Sequence, residues 1–161
     1  MNNIRINSWN ETDPLRTIMI GTPEQSCNLP NEFPCQIRSF DNCTPELMDR
    51  TEINTAKKLM DNLIHILQND YSIKVIRSDI INHGISIKTP FWNLTNTNEN
   101  TCPRDTFSII GSTILEAPMS WRCRYFESKA YHYPLLKIWE ANKNVRWIQP
   151  PKPIMGDNLY N

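Results

Sequence analysis

A chain of 161 residues with 39% hydrophobic residues, 21% charged residues and a mean hydropathy of -0.52 has the length and composition of about one soluble domain. Its seventeen basic residues balance seventeen acidic ones, which removes the positive field that holds a nucleic-acid backbone and excludes a general phosphate binder. Four glycines against twelve prolines leave no phosphate loop, dinucleotide fingerprint or Gly-x-Ser-x-Gly elbow, and no apolar run reaches the roughly 18 residues that span a bilayer.

In chain order, Thr17-Ile18-Met19-Ile20 is a β-branched and apolar run opened by Asp13-Pro14 and closed by Gly21, the punctuation of a buried strand. From Cys27 to Cys43 the breakers Pro30, Asn31, Pro34 and Asn42 leave no periodicity, so a long loop is expected. Thr44-Pro45-Glu46 offers a cap, a first-turn proline and an acid for a helix start. Ala56, Leu59, Met60, Leu63, Ile64 and Leu67 continue that helix as one apolar stripe to about Asn69. Ile73, Val75 and Ile76 read as a strand, and residues 80–101 as a polar, turn-rich loop.

The second half repeats the order at greater length. Phe107–Ile110 and Thr113–Leu115 flank Gly111-Ser112, a tight hairpin. Residues 121–142 turn helical, with Pro134 starting a second segment or kinking the first. Arg146–Gln149 is a last strand before Pro150-Pro151. Two strand-helix-strand copies result, related in pattern and not by residue identity. The chain stops without a closing helix, an abrupt end for a self-contained α/β domain.

Cysteine use and the N-terminus point to a reduced, cytoplasmic setting. The five cysteines Cys27, Cys35, Cys43, Cys102 and Cys123 are an odd set without a Cys-x-x-Cys pair, and Met1–Asn7 carries neither signal-peptide nor transit features. Three matches to the glycosylation pattern, at Asn10, Asn42 and Asn93, are read as chance in so asparagine-rich a chain.

The densest polar cluster is Cys102-Pro103-Arg104-Asp105 at the mouth of the hairpin, a loop-to-strand junction of the kind that carries ligand-contacting groups. The Asp105 carboxylate can accept two parallel N–H bonds from a planar guanidinium; the competing reading is a structural ion pair with Arg104 or a turn cap. Cys123, between Arg122 and Arg124, is read as a structural thiol rather than a nucleophile. Arg122, Arg124 and Glu127 form an ion-pair set on a solvated helix face. His65, His83 and His132 are scattered, none at metal-ligand spacing or in a nucleophile arrangement.

Five segments together resemble a known family. Ser8-Trp9-Asn10-Glu11-Thr12-Asp13-Pro14-Leu15, Ile18-Met19-Ile20-Gly21, Cys102-Pro103-Arg104-Asp105, Glu116-Ala117-Pro118-Met119-Ser120-Trp121-Arg122 and Pro150-Pro151-Lys152-Pro153 are similar, in order and spacing, to the N-terminal part of L-arginine:glycine amidinotransferases. The related inosamine-phosphate amidinotransferases share the pattern.

The resemblance implies a five-bladed α/β-propeller of pseudo-symmetric units, of which residues 1–161 would form an incomplete N-terminal portion of about two. It implies transfer of an amidino group from L-arginine to an amine such as glycine, through a covalent amidino-cysteine with a histidine as acid and base, and no metal or organic cofactor. Asp105 matches the aspartate of the family's Pro-Arg-Asp segment, which contacts the guanidino group. The family's His-x-Asp segment and late cysteine have no counterpart here, so the chain is expected to be a truncated or N-terminal segment, inactive alone. A second chain carrying the remaining units, or a homodimer, is the implied protein partner, and L-arginine or another guanidino compound the implied ligand. Two other readings stand beside it: a non-catalytic guanidino-binding or interaction remnant, and an arginine-hydrolysing relative.

Overall fold

The computed structural model describes residues 4–28 and 48–159. The expected loop between Cys27 and Cys43 lies almost wholly outside the described residues, as does the helix start at Thr44-Pro45-Glu46.

The first unit is β1 (Thr17–Ile20), α1 (Arg50–Asn69) and β2 (Lys74–Arg77). β1 and β2 pair in parallel, with Ile18 opposite Val75 and Met19 opposite Ile76. A parallel pair needs a crossover, and α1 lies between them in the chain. Asp49 caps α1, its side chain accepting from the Thr51 N–H at 3.0 Å. The expected stripe needs correction. Ile53, Ala56, Met60, Ile64 and Leu67 are half-buried, whereas Leu59 and Leu63 are 65% and 47% exposed. The half-buried face keeps four of the six predicted positions and leaves Leu59 and Leu63 outside it. β1 is half-buried too, with only Ile20 fully enclosed.

Residues 80–101 are more ordered than a polar loop. β3 (Ile87–Lys88) and β4 (Asn93–Leu94) make a small antiparallel ladder. Trp92 and Leu94 enter an apolar cluster with Cys123 and Met155.

The second unit opens on a single helical turn, α2 (Pro103–Thr106), and continues as β5 (Phe107–Ile110), β6 (Thr113–Glu116), α3 (Lys129–Glu140) and β7 (Arg146–Ile148). β6 is central, antiparallel to β5 and parallel to β7. Gly111 opens the two-residue hairpin at φ +56°, and a Cβ there would stand 2.8 Å from the Trp9 ring. The loop therefore needs glycine on two counts. Residues 122–124 are a 3-10 turn rather than the start of an α-helix.

α3 runs as one helix through Pro134, neither broken nor restarted there. Pro134 has no N–H to give the Ala130 carbonyl, four residues back. That carbonyl accepts instead from the Asp79 N–H at 2.7 Å, in the segment after β2. The proline's missing bond is replaced by one between the units.

The main core, Phe107, Ile114, Ala130, Tyr131 and Leu135, also receives Met19 from the first unit and Ile81 from the segment that follows it. Burying such side chains stabilises by about 1.5–3 kcal/mol each, so this packing joins the units. At the same seam a Cβ on Gly21 would stand 2.0 Å from the Asn100 carbonyl oxygen; only glycine lets the two backbones approach so closely. A 3-10 turn at Asp157–Leu159 ends the described chain.

Candidate functional site

Asp105 sits on α2, where Pro103 presets the first helical φ and the Asp105 N–H bonds the Cys102 carbonyl at 3.2 Å. Thr106 pins the turn from below: it is fully buried, its hydroxyl donates to the Pro103 carbonyl at 3.0 Å, and its carbonyl accepts from Ala117 at 2.8 Å. The turn thus holds the carboxylate at the junction that the sequence pointed to.

The partner differs from the expected one. Asp105 Oδ2 accepts from Arg124 Nη2 at 2.9 Å, not from Arg104. Arg124 also forks onto Glu127, Nε to Oε2 at 2.5 Å and Nη2 to Oε1 at 2.8 Å. Arg124–Glu127 is the expected i, i+3 pair, but it is not a solvated face: the Glu127 side chain is 1% exposed. Burial pushes the Glu127 carboxyl up, against the bonds from Arg124. Arg124 is held still more firmly charged, first by its hydrogen bond to Glu127 and, despite burial, by Asp105 as well. Arg122 leaves the set. Buried, it donates through Nε and Nη2 to the Met155 carbonyl and through Nη2 to Asp157 at 2.7 Å, fastening the end of the chain to the core.

Two carboxylates, Asp105 and Glu127, act on one guanidinium in this corner, and Glu99 lies near enough to add to the negative field at Glu127. The balance is acidic. Asp105 keeps a side chain 46% exposed, with Oδ1 unbonded by any described residue, so it can accept an N–H from a cation in solvent. Cys102 is exposed beside it, and Tyr131 is buried behind it, its hydroxyl donating to the Asn100 carbonyl at 2.5 Å. Burial, then Glu127, pushes the Tyr131 hydroxyl's pKa well up, so it stays protonated.

The remaining predicted residues lie elsewhere. Cys123 is buried in the Trp92 cluster, as a structural thiol should be. His65 is exposed on α1. His83 is fully buried, Nδ1 against Thr97 Oγ1 at 2.7 Å and Nε2 against Asn100 Oδ1 at 3.0 Å, and its burial lowers its pKa. His132 meets both oxygens of Glu116 at 3.1 Å, a partner that sequence reasoning missed. The signal was weak: Glu116 and His132 are sixteen residues apart, on a strand and a helix.

No family profile matches the chain. It is 29% identical over 161 residues to the mitochondrial glycine amidinotransferase of Xenopus tropicalis, covering 96% of this chain and 37% of that protein. To the L-arginine:L-lysine amidinotransferase of Pseudomonas savastanoi pv. phaseolicola it is 29% identical, over 95% of this chain and 43% of that one. Among solved structures, an amidinotransferase of Microseira wollei superposes with a TM-score of 0.85 at 33% identity, over 94% of this chain and 43% of the other. The chain thus spans about two-fifths of the length of these relatives. Over nearly all of its own length the chain is similar to an N-terminal part of the glycine amidinotransferases.

Proposed function

We propose that the chain supplies the guanidine-facing N-terminal portion of an amidinotransferase, about two units of a five-bladed α/β-propeller, with Asp105 binding the guanidinium of L-arginine or a related compound. The observation that supports this best is the Asp105 carboxylate itself, held on a pinned helical turn with one oxygen on Arg124 and the other open. In the full reaction a cysteine thiolate takes the amidino group from arginine, ornithine leaves, and an amine such as glycine receives the group. Those steps fall to residues outside this portion. Among the described residues, His83 is sealed in the core, His132 is bound to Glu116, and neither bonds a cysteine. A second chain or a homodimer would complete the site.

The Arg124 ion pair favours one other reading, in which Asp105 is a structural anchor and the chain a non-catalytic interaction module. Titrating the chain with L-arginine, followed by calorimetry, separates the two. Binding that weakens at least tenfold in Asp105→Asn, with the fold kept, supports the guanidine site. Equal binding by both proteins, or none by either, would leave Asp105 as an anchor only.

A further inference from the structure

The two parallel crossovers are unequal repeats. β6 pairs with β7 on one edge and with β5 on the other, whereas β1 pairs with β2 alone, and no described strand takes β5's place beside it. The ladder fixes which groups are left open. Lys74 N–H bonds the Arg16 carbonyl and Ser78 N–H bonds the Ile20 carbonyl. By alternation, Arg16, Ile18 and Ile20 turn their backbone groups toward β2, and Thr17 and Met19 turn theirs to the other edge. No described residue bonds them there. The strand carries no charge, proline or bulge of the kind that blunts a solvent-facing edge. A cavity of about 500 Å³ lies against the same strand, with Ile6, Met19, Ile109 and Leu135 among its walls.

We propose that the open edge of β1 accepts an extended strand from a polypeptide carrying the remainder of the family fold. It pairs antiparallel through the N–H and C=O groups of Thr17 and Met19. Its alternate side chains are apolar, as Phe107 and Ile109 are in β5, the strand that fills the equivalent edge of the second unit. Strand addition of this kind takes its affinity from main-chain bonds and its register from alternate side chains. The occupant is assigned to the rest of the family fold because the relatives carry more than half their length beyond what this chain matches. The inference rests on reading the two units as repeats of one fold.

The test fuses a copy of Thr106–Ser112 to the N-terminus of the 161-residue chain through a flexible Gly/Ser linker, so that the strand is presented at millimolar effective concentration. Amide exchange is followed by NMR. The amides of Thr17 and Met19 should slow at least tenfold against the unfused chain, while Ile18 and Ile20, already bonded to β2, change little. A control fusion with proline at the position of Ile109 should give no slowing. Unchanged exchange at Thr17 and Met19 in the fusion would overturn the proposal. So would concentration-dependent protection of the same amides in the unfused chain, which would make a second copy the occupant. Guanidine binding at Asp105 plays no part in this readout, so either reading can fail alone.

Discussion

At the scale of single residues, the buried polar groups set how the fold answers to pH. Burial pushes the Glu116 carboxyl up, but hydrogen bonds from His132, Ser128 and Gln149 outweigh it and hold the group down at about 2. An acid depressed on folding stabilises above its ordinary value near 4.5, and that stability is lost as pH falls through the lower value; the shift corresponds to roughly 3 kcal/mol. Urea unfolding measured from pH 6 to pH 2 should therefore show a loss that Glu116→Gln largely removes. His83 works in the same direction at higher pH. Its folded pKa lies below 6.5, so its contribution is full above that pH and fades as acid protonates the unfolded chain first. His83→Ala strands the polar ends of Thr97 and Asn100 in the core, at about 1–3 kcal/mol for each group left unsatisfied, and should lower the melting temperature by at least several degrees. Little of this network was legible beforehand. Asn100 was one asparagine in an asparagine-rich chain, yet it is fully buried and its side chain joins His83, Ser78 and the Asp79 carbonyl. The position of Asp105 at a loop-to-strand junction was legible because proline and the change of pattern mark its turn. Its partner was not, since Arg124 reaches it from nineteen residues away through a 3-10 turn that helical spacing does not describe.

At the scale of elements, local punctuation told more than periodicity. β1, β2, the Gly111-Ser112 hairpin and β7 lie where breakers and β-branched runs placed them, because such signals act on the backbone itself. The stripe on α1 was read too wide, since Leu59 and Leu63 are apolar at helical spacing and only packing against the sheet leaves them outside the half-buried face. The hairpin carries a clear expectation. Gly111→Ala forces a side chain into a left-handed φ and against the Trp9 ring, and should cost about 1–2 kcal/mol. Adding Trp9→Ala should recover the steric share and leave the backbone share, a coupling readable by a double-mutant cycle in urea. Pro134→Ala gives the opposite kind of expectation. Removing a mid-helix proline ordinarily gains about 3 kcal/mol, but here the Ala130 carbonyl is already bonded to Asp79. The change in unfolding free energy should stay within about 1 kcal/mol.

At the scale of the whole molecule, two units share one core but leave much of their surface unfinished. Leu59, Leu63 and Ile66 stand exposed along α1, Trp9 is 73% exposed, and β1 keeps an unpaired edge among the described residues. Apolar patches and open edges of this kind mark association surfaces or marginal folds. The 161-residue chain on its own should melt early and broadly, and form no ornithine from arginine; a sharp, cooperative melt of a monomer would contradict the first, and arginine-dependent ornithine above a buffer control the second. The repeat of two units was visible in the order of elements, whereas the inequality of their sheets among the described residues was not, because strand pairing is decided by packing and not by local sequence. The bond from Asp79 to Ala130 has a further use in time. The second unit's helix lacks a partner for that carbonyl until the first unit arrives, so protection of the Asp79 amide marks the moment of docking. In pulse-labelled refolding, that single proton would act as a clock, separating the formation of each unit from their assembly.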